Sequence, residues 1–307
     1  MPPLTRLWMR LFTLAALAAL GSACAERPGG VASQIDPDRV VVDIAPMRGL
    51  LAPIVRDGVE IRTLVPRGVS PHGFALRPSD AASIRTAYRV VHVGGGLSPE
   101  IERAVGALAP GDRVVSMAHA LGVETLACED HDHSGHHHHD HEGVDPHLWV
   151  DPERVLAFLG EIGDLGGVID PARLAAFRRE VEALEQRARS VLTPVRGARI
   201  VTQHHAFTAW LERHGVEVVD VVRDGVHLEP SPKSVAVLAQ RLRGGAVDMV
   251  FVESQFPGEL TRKLAEESGV RVGVLDPLGE GDWVEMMDAN LDALARIGAD
   301  GAGGSDG

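Results

Sequence analysis

The chain has 307 residues, with 43 acidic against 30 basic side chains and a formal net charge of −13 at pH 7. So acidic a surface repels polyanions, which argues against nucleic acid as a partner. Cys24 and Cys128 are the only cysteines, so no disulfide framework holds the fold together.

Residues 1–25 read as a secretion signal. Arg6 and Arg10 supply a positive start, residues 11–20 (LFTLAALAAL) an apolar core, and Gly21, Ser22 and Ala23 are small residues before Cys24. The apolar run is too short for the roughly 20 residues that span a bilayer, and no later segment reaches that length. The LGSAC ending is similar to a bacterial lipoprotein cleavage site, although Gly21 stands where a leucine-like residue is usual. Cleavage after Ala25 is the competing reading. The expected product is exported, and either free in the periplasm or tethered to a membrane through Cys24. Its formal charge without Arg6 and Arg10 is −15.

From there, β-branched runs alternate with helical patterns. Arg39–Ile44, Val59–Val65, Arg89–Val93 and Arg113–Ser116 predict four strands of an N-terminal lobe over residues 35–169. Strand alternating with helix implies a parallel sheet covered on both faces, hence an α/β lobe. Gly94, Gly95 and Gly96 form no phosphate loop, because no Lys-Ser/Thr pair follows them.

Residues 129–142 (EDHDHSGHHHHDHE) interrupt this lobe with seven histidines and five carboxylates. No packed core uses that composition, whereas neutral imidazole is the commonest ligand of zinc-like cations. His131, His133, His136, His137, His138, His139 and His141 are therefore expected to form an auxiliary, low-affinity metal-binding loop. The neighbouring Cys128 reads as a buried thiol.

Residues 170–195 predict one long helix. Leu174, Phe177, Val181, Leu184, Ala188 and Val191 recur at steps of three and four and so share a face. Asp170-Pro171 is a helix start, and Pro194 with Gly197 marks the end. About 22 helical residues span roughly 33 Å, which suits a rigid strut between two lobes. Arg199–Gln203, Val216–Val221, Val247–Glu253 and Val270–Leu275 then predict four strands of a second α/β lobe over 198–298. Residues 299–307 read as a disordered tail.

Ligands of open parallel sheets bind beyond the carboxyl ends of the strands. His72 (GVSPHGF), His147 (DPHLW), His204 (VTQHHAF) and Asp276 (VLDPLG) all stand at such places, two in each lobe. Three imidazoles and a carboxylate suit a tetrahedral zinc. Between His204 and His205, only one is expected to face the cleft. Asp145 is placed to orient the His147 ring or to serve as a turn residue. His92 reads as a core or strand-end histidine, His119 and His214 as helix-surface residues, and Glu229–Pro232 as a helix-capping segment beside His227.

These motifs carry a resemblance. PRGVSPHGFALRPSD (66–80), DPHLWVDP (145–152), HHAFTAWLERHG (204–215), LEPSPKSVAVLAQ (228–240) and VLDPLG (274–279) resemble, in order, the zinc- and manganese-binding solute receptors of bacterial ABC importers. The zinc receptors of the ZnuA and AztC type are the nearest match. The resemblance implies two α/β lobes bridged by a long helix, and metal ligands at His72, His147 and His204, with His205 in a variable place. It implies a carboxylate fourth ligand at Asp276, since Pro71 stands where some of these receptors carry a glutamate. Trp283, where a tyrosine is more usual, departs from the pattern.

The resemblance implies a receptor that captures one Zn2+ tightly outside the cytoplasmic membrane and delivers it to an ABC permease. It is expected to act as a monomer, with a periplasmic metallochaperone as a further partner. The alternatives are a manganese receptor of the same family, a zinc hydrolase using Asp276 as base, and a periplasmic zinc buffer or chaperone. Against the hydrolase, the chain has no H-E-x-x-H motif.

Overall fold

The computed structural model describes residues 34–123, 145–223 and 232–298. The secretion signal with Cys24, the His-rich loop 129–142, Cys128, His227, Glu229 and the tail 299–307 lie outside the described residues.

All eight predicted strands are present: β1 Asp36–Val42, β2 Glu60–Thr63, β3 Ala87–His92, β4 Val114–Ser116, β5 Arg199–Thr202, β6 Glu217–Val221, β7 Met249–Val252 and β8 Arg271–Val274. They form two parallel four-stranded sheets in the orders β2-β1-β3-β4 and β6-β5-β7-β8, so the second half repeats the topology of the first. Helices complete each lobe: α1 Ala45–Leu51, α2 Pro78–Thr86, α3 Pro99–Leu108, α4 Met117–Ala120 and α5 Pro152–Glu161 in the first, α7 Thr208–Arg213, α8 Pro232–Arg243, α9 Glu259–Glu267 and α10 Trp283–Ala295 in the second. None of the described helices is long and apolar enough to cross a membrane.

The linking helix α6 runs from Pro171 to Leu192. The Asp170 side chain accepts from Ala172 N and Arg173 N, satisfying two of the amides that a helix start leaves unpaired. Phe177, Val181, Leu184 and Ala188 are buried, as the periodicity predicts, and Leu174 and Val191 flank them half-buried. Glu185 is buried on the same helix, which periodicity did not indicate; Arg189 Nε donates to its Oε1 at 2.7 Å. Each end of α6 is tied to a different lobe. Arg173 donates to Val55 O at 2.8 Å and to Asp57 at 2.7 Å, and Arg187 to Asp288 at 2.6 Å and Asp292 at 2.7 Å on α10.

One hydrophobic core runs through both lobes and the strut. It joins Val40, Val41 and Val91 of the first sheet, Phe177 and Val181 of α6, and Ile200 and Phe251 of the second sheet. A smaller cluster on the far face of the second sheet holds Val201, Val250, Leu238 and Leu242. Ile200 and Val201 fall in different cores because successive strand side chains point to opposite faces. The shared core explains why the described residues from Ile35 onward form one compact unit rather than two separable lobes.

Side chains pin the strand ends beside the cleft. At the end of β1, Asp43 accepts from Ile44 N and from Val93 N, both at 2.8 Å, joining β1 to the residue after β3. Burial pushes the Asp43 carboxyl up to about 7. The corresponding place in the second lobe is Gln203, whose Oε1 accepts from Glu253 N at 2.8 Å at the end of β7.

Candidate metal centre

The cleft between the sheets is lined by Ser70, Pro71, His72, His147 and Trp149 from the first lobe, and by His204, Glu253, Gln255, Phe256, Pro277 and Leu278 from the second. His72 lies on the loop after β2. Ser98 Oγ donates to Pro71 O at 2.9 Å, which fixes the backbone just before it. His147 leads into a short turn, Leu148–Val150, ahead of α5. His204 has an extended backbone and starts the turn that leads into α7.

The three imidazoles converge. One ring nitrogen from each of His72, His147 and His204 lies within 4.8 Å of the others. The Nε2 atoms of His72 and His147 are 3.2 Å apart. Two nitrogens on a tetrahedral zinc with bonds of about 2.0–2.1 Å are separated by roughly 3.3 Å, so this pair already has the spacing of a coordination edge. Ring centroids are 4.8–5.1 Å apart and the planes cross at 69–84°, so the nitrogens point inward without the rings stacking.

The electrostatics keep lone pairs available. Burial, with His147 and His204 close by, holds His72 down to about 3. Burial also lowers His147, against the opposing pull of Asp145. Asp145 Oδ1 accepts from His147 N at 3.0 Å and sits 2.7 Å from its ring Nδ1. Burial alone would raise Asp145, but the hydrogen bonds from His147 outweigh it and hold the carboxyl below its ordinary value. An ionised Asp145 accepts from Nδ1–H and leaves Nε2 of His147 as the donor to a cation.

Zinc-uptake complex component A, periplasmic, is the family whose model matches residues 40–297. The chain belongs to that family. A relative from Paracoccus denitrificans, named high-affinity zinc uptake system protein ZnuA, is 28% identical over 336 residues, covering 95% of this chain and 100% of the relative. A crystal structure of ZnuA superposes with a TM-score of 0.69 at 25% identity, over 85% of this chain and 99% of that one. The solute-binding protein FpvC of Pseudomonas aeruginosa, solved in complex with Mn2+, also gives a TM-score of 0.69, at 27% identity over 85% and 98% of the two chains. The family is one of periplasmic solute-binding proteins, and its two-lobed α/β fold is the one found here.

Of the residues singled out in the sequence, His72, His147 and His204 come together and Asp145 supports one of them. His204 rather than His205 joins the cluster. Asp276 stands after β8 as expected but is outside that group of donors. Its Oδ1 accepts from Leu278 N at 2.9 Å and Gly279 N at 3.0 Å, and Gln255 Nε2 also donates to it. That oxygen caps the turn following the strand, as aspartate commonly does. His92 is buried at a strand end, where burial holds it down to about 4, and His119 is exposed. Glu253 and Gln255 were not singled out, although Glu253 directly follows β7 and so satisfies the same strand-end rule that selected the histidines.

Proposed function

We propose that this protein is a high-affinity zinc receptor that captures Zn2+ outside the cytoplasmic membrane and hands it to the permease of an ABC importer. The observation that carries this reading is the convergence of His72 and His147 from one lobe with His204 from the other. Three neutral imidazoles favour zinc over manganese, which prefers more oxygen. We assign the fourth position to Asp276, the carboxylate that stands just after β8, where ligands of parallel sheets bind. The site binds and holds rather than turning over substrate. Release requires the permease to shift a loop or one lobe.

The His-rich loop, with His131, His133, His136, His137, His138, His139 and His141, serves as an auxiliary, weaker zinc collector. The protein works as a monomer in the periplasm or tethered through a lipid on Cys24, and draws on a periplasmic metallochaperone as well as free ion.

Competitive zinc titration of the wild type, a deletion of residues 129–142 and His147→Ala tests the reading. One tight equivalent that survives the deletion and is lost with His147→Ala is expected. Tight binding lost with the loop and indifferent to His147 would leave a metal buffer instead. Asp276→Ala addresses the hydrolase alternative: a receptor loses affinity, whereas a hydrolase keeps its metal and loses turnover.

A further inference from the structure

Each imidazole of a metal site needs its second ring nitrogen satisfied, because that bond fixes the tautomer and orients the ring. His147 has Asp145, whose Oδ1 lies 2.7 Å from its Nδ1. The Nδ1 of His204 is buried without a hydrogen-bond partner, and Oε2 of Glu253 stands 3.6 Å away. The Glu253 side chain is 3% exposed and lines the same cleft.

The two residues are held as a pair. β5 and β7 are hydrogen-bonded neighbours, with Thr202 opposite Phe251, so His204 and Glu253 each stand two residues past a paired position. Gln203 clamps them, its Oε1 accepting from Glu253 N and its Nε2 donating to Pro257 O at 2.7 Å. The Phe256 ring packs against the His204 ring at 5.6 Å and limits how far the imidazole can swing.

We propose that Glu253 is a positioning residue for metal capture: its carboxylate accepts Nδ1–H of His204 and holds the ring in the tautomer that presents Nε2 to the ion. This rests on the reading of His204 as a metal ligand. The gap of 3.6 Å is just beyond hydrogen-bond length, and a small rotation of the imidazole onto the ion closes it. Glu253 does not touch the metal; it acts through His204.

The test is zinc affinity in a double-mutant cycle of wild type, Glu253→Gln, His204→Ala and the double variant, with the Co2+ absorption spectrum of each. Glutamine keeps the shape, and urea unfolding verifies that each variant is folded. Glu253→Gln is expected to weaken zinc about 10- to 100-fold and to shift the Co2+ bands, the range usual for residues that orient a ligand. In the His204→Ala background the same substitution is expected to add nothing, because its target is gone. An equal loss in both backgrounds, or no loss in the wild-type background, overturns the role given to Glu253. If His204→Ala alone leaves zinc affinity unchanged, the metal-site reading itself fails, and this inference with it.

Discussion

The indole N–H of Trp149 donates to the carbonyl of Pro277 at 2.6 Å, so the residue two places after His147 is bonded across the cleft to the residue directly after Asp276. Trp283 Nε1 in turn donates to Trp149 O at 2.8 Å. Both indoles are fully buried. The backbone segments that carry His147 and Asp276 are thereby fixed to one another, and not merely to their own sheets.

Trp149→Phe retains most of the apolar bulk but leaves the Pro277 carbonyl buried without its donor. The expected cost is about 1–3 kcal/mol of stability, read as a lowered urea midpoint, with looser zinc binding alongside. Unchanged stability would mean that the cleft is held by the shared core alone.

Gly49 on α1 packs against the backbone that leads into α10. A Cβ there would meet Gly281 O at 2.7 Å and Trp283 N at 2.8 Å, and both are backbone atoms that cannot swing aside. Alanine gains up to about 1 kcal/mol in helix propensity, whereas overpacking costs about 1–3 kcal/mol. Gly49→Ala is therefore expected to be net destabilising in denaturant unfolding despite the better helix former.

Asp145→Asn removes the charge that orients His147 without changing size. Zinc affinity is expected to fall about 10- to 100-fold in competition with a chelator, with little change in the unfolding midpoint of the metal-free protein. Unaltered affinity would return Asp145 to the role of a simple turn residue.

His92 gives a pH dependence separate from the metal site. Its folded value is about 4, against an ordinary 6.5, because burial disfavours the charged ring. With the folded value depressed, the unfolded chain binds the extra proton first. Stability from this group is complete above pH 6.5 and is lost as pH falls towards 4, up to about 3 kcal/mol. His92→Gln should flatten that part of the stability curve, measured as the difference from wild type between pH 7 and pH 4. Parallel curves for the two proteins would show that His92 does not contribute.

The strands and the strut were legible because their signals are local. A β-branched run such as Val40–Val42, or the three-four spacing of Phe177, Val181 and Leu184, depends only on neighbours in sequence. The strand-end rule then placed His72, His147 and His204 at the cleft, since a parallel sheet leaves its carboxyl ends open. Glu185 escaped this reading because a charge on an apolar face is counted as surface until a partner such as Arg189 is seen beside it.

Element order, the two parallel sheets, the linking helix and the residue types available to a cation all follow from the order of amino acids alone. Which of them meet depends on the folded structure. His204 and not His205 joins the cluster, Asp276 Oδ1 is committed to the turn after β8, and Glu253 stands behind His204. It also decided that the lobes share one core, closed by Trp149 on Pro277. Periodicity records which face of an element is apolar, but ring directions and cross-lobe hydrogen bonds depend on residues far apart in the chain. Those are set by packing, which a one-dimensional pattern does not encode.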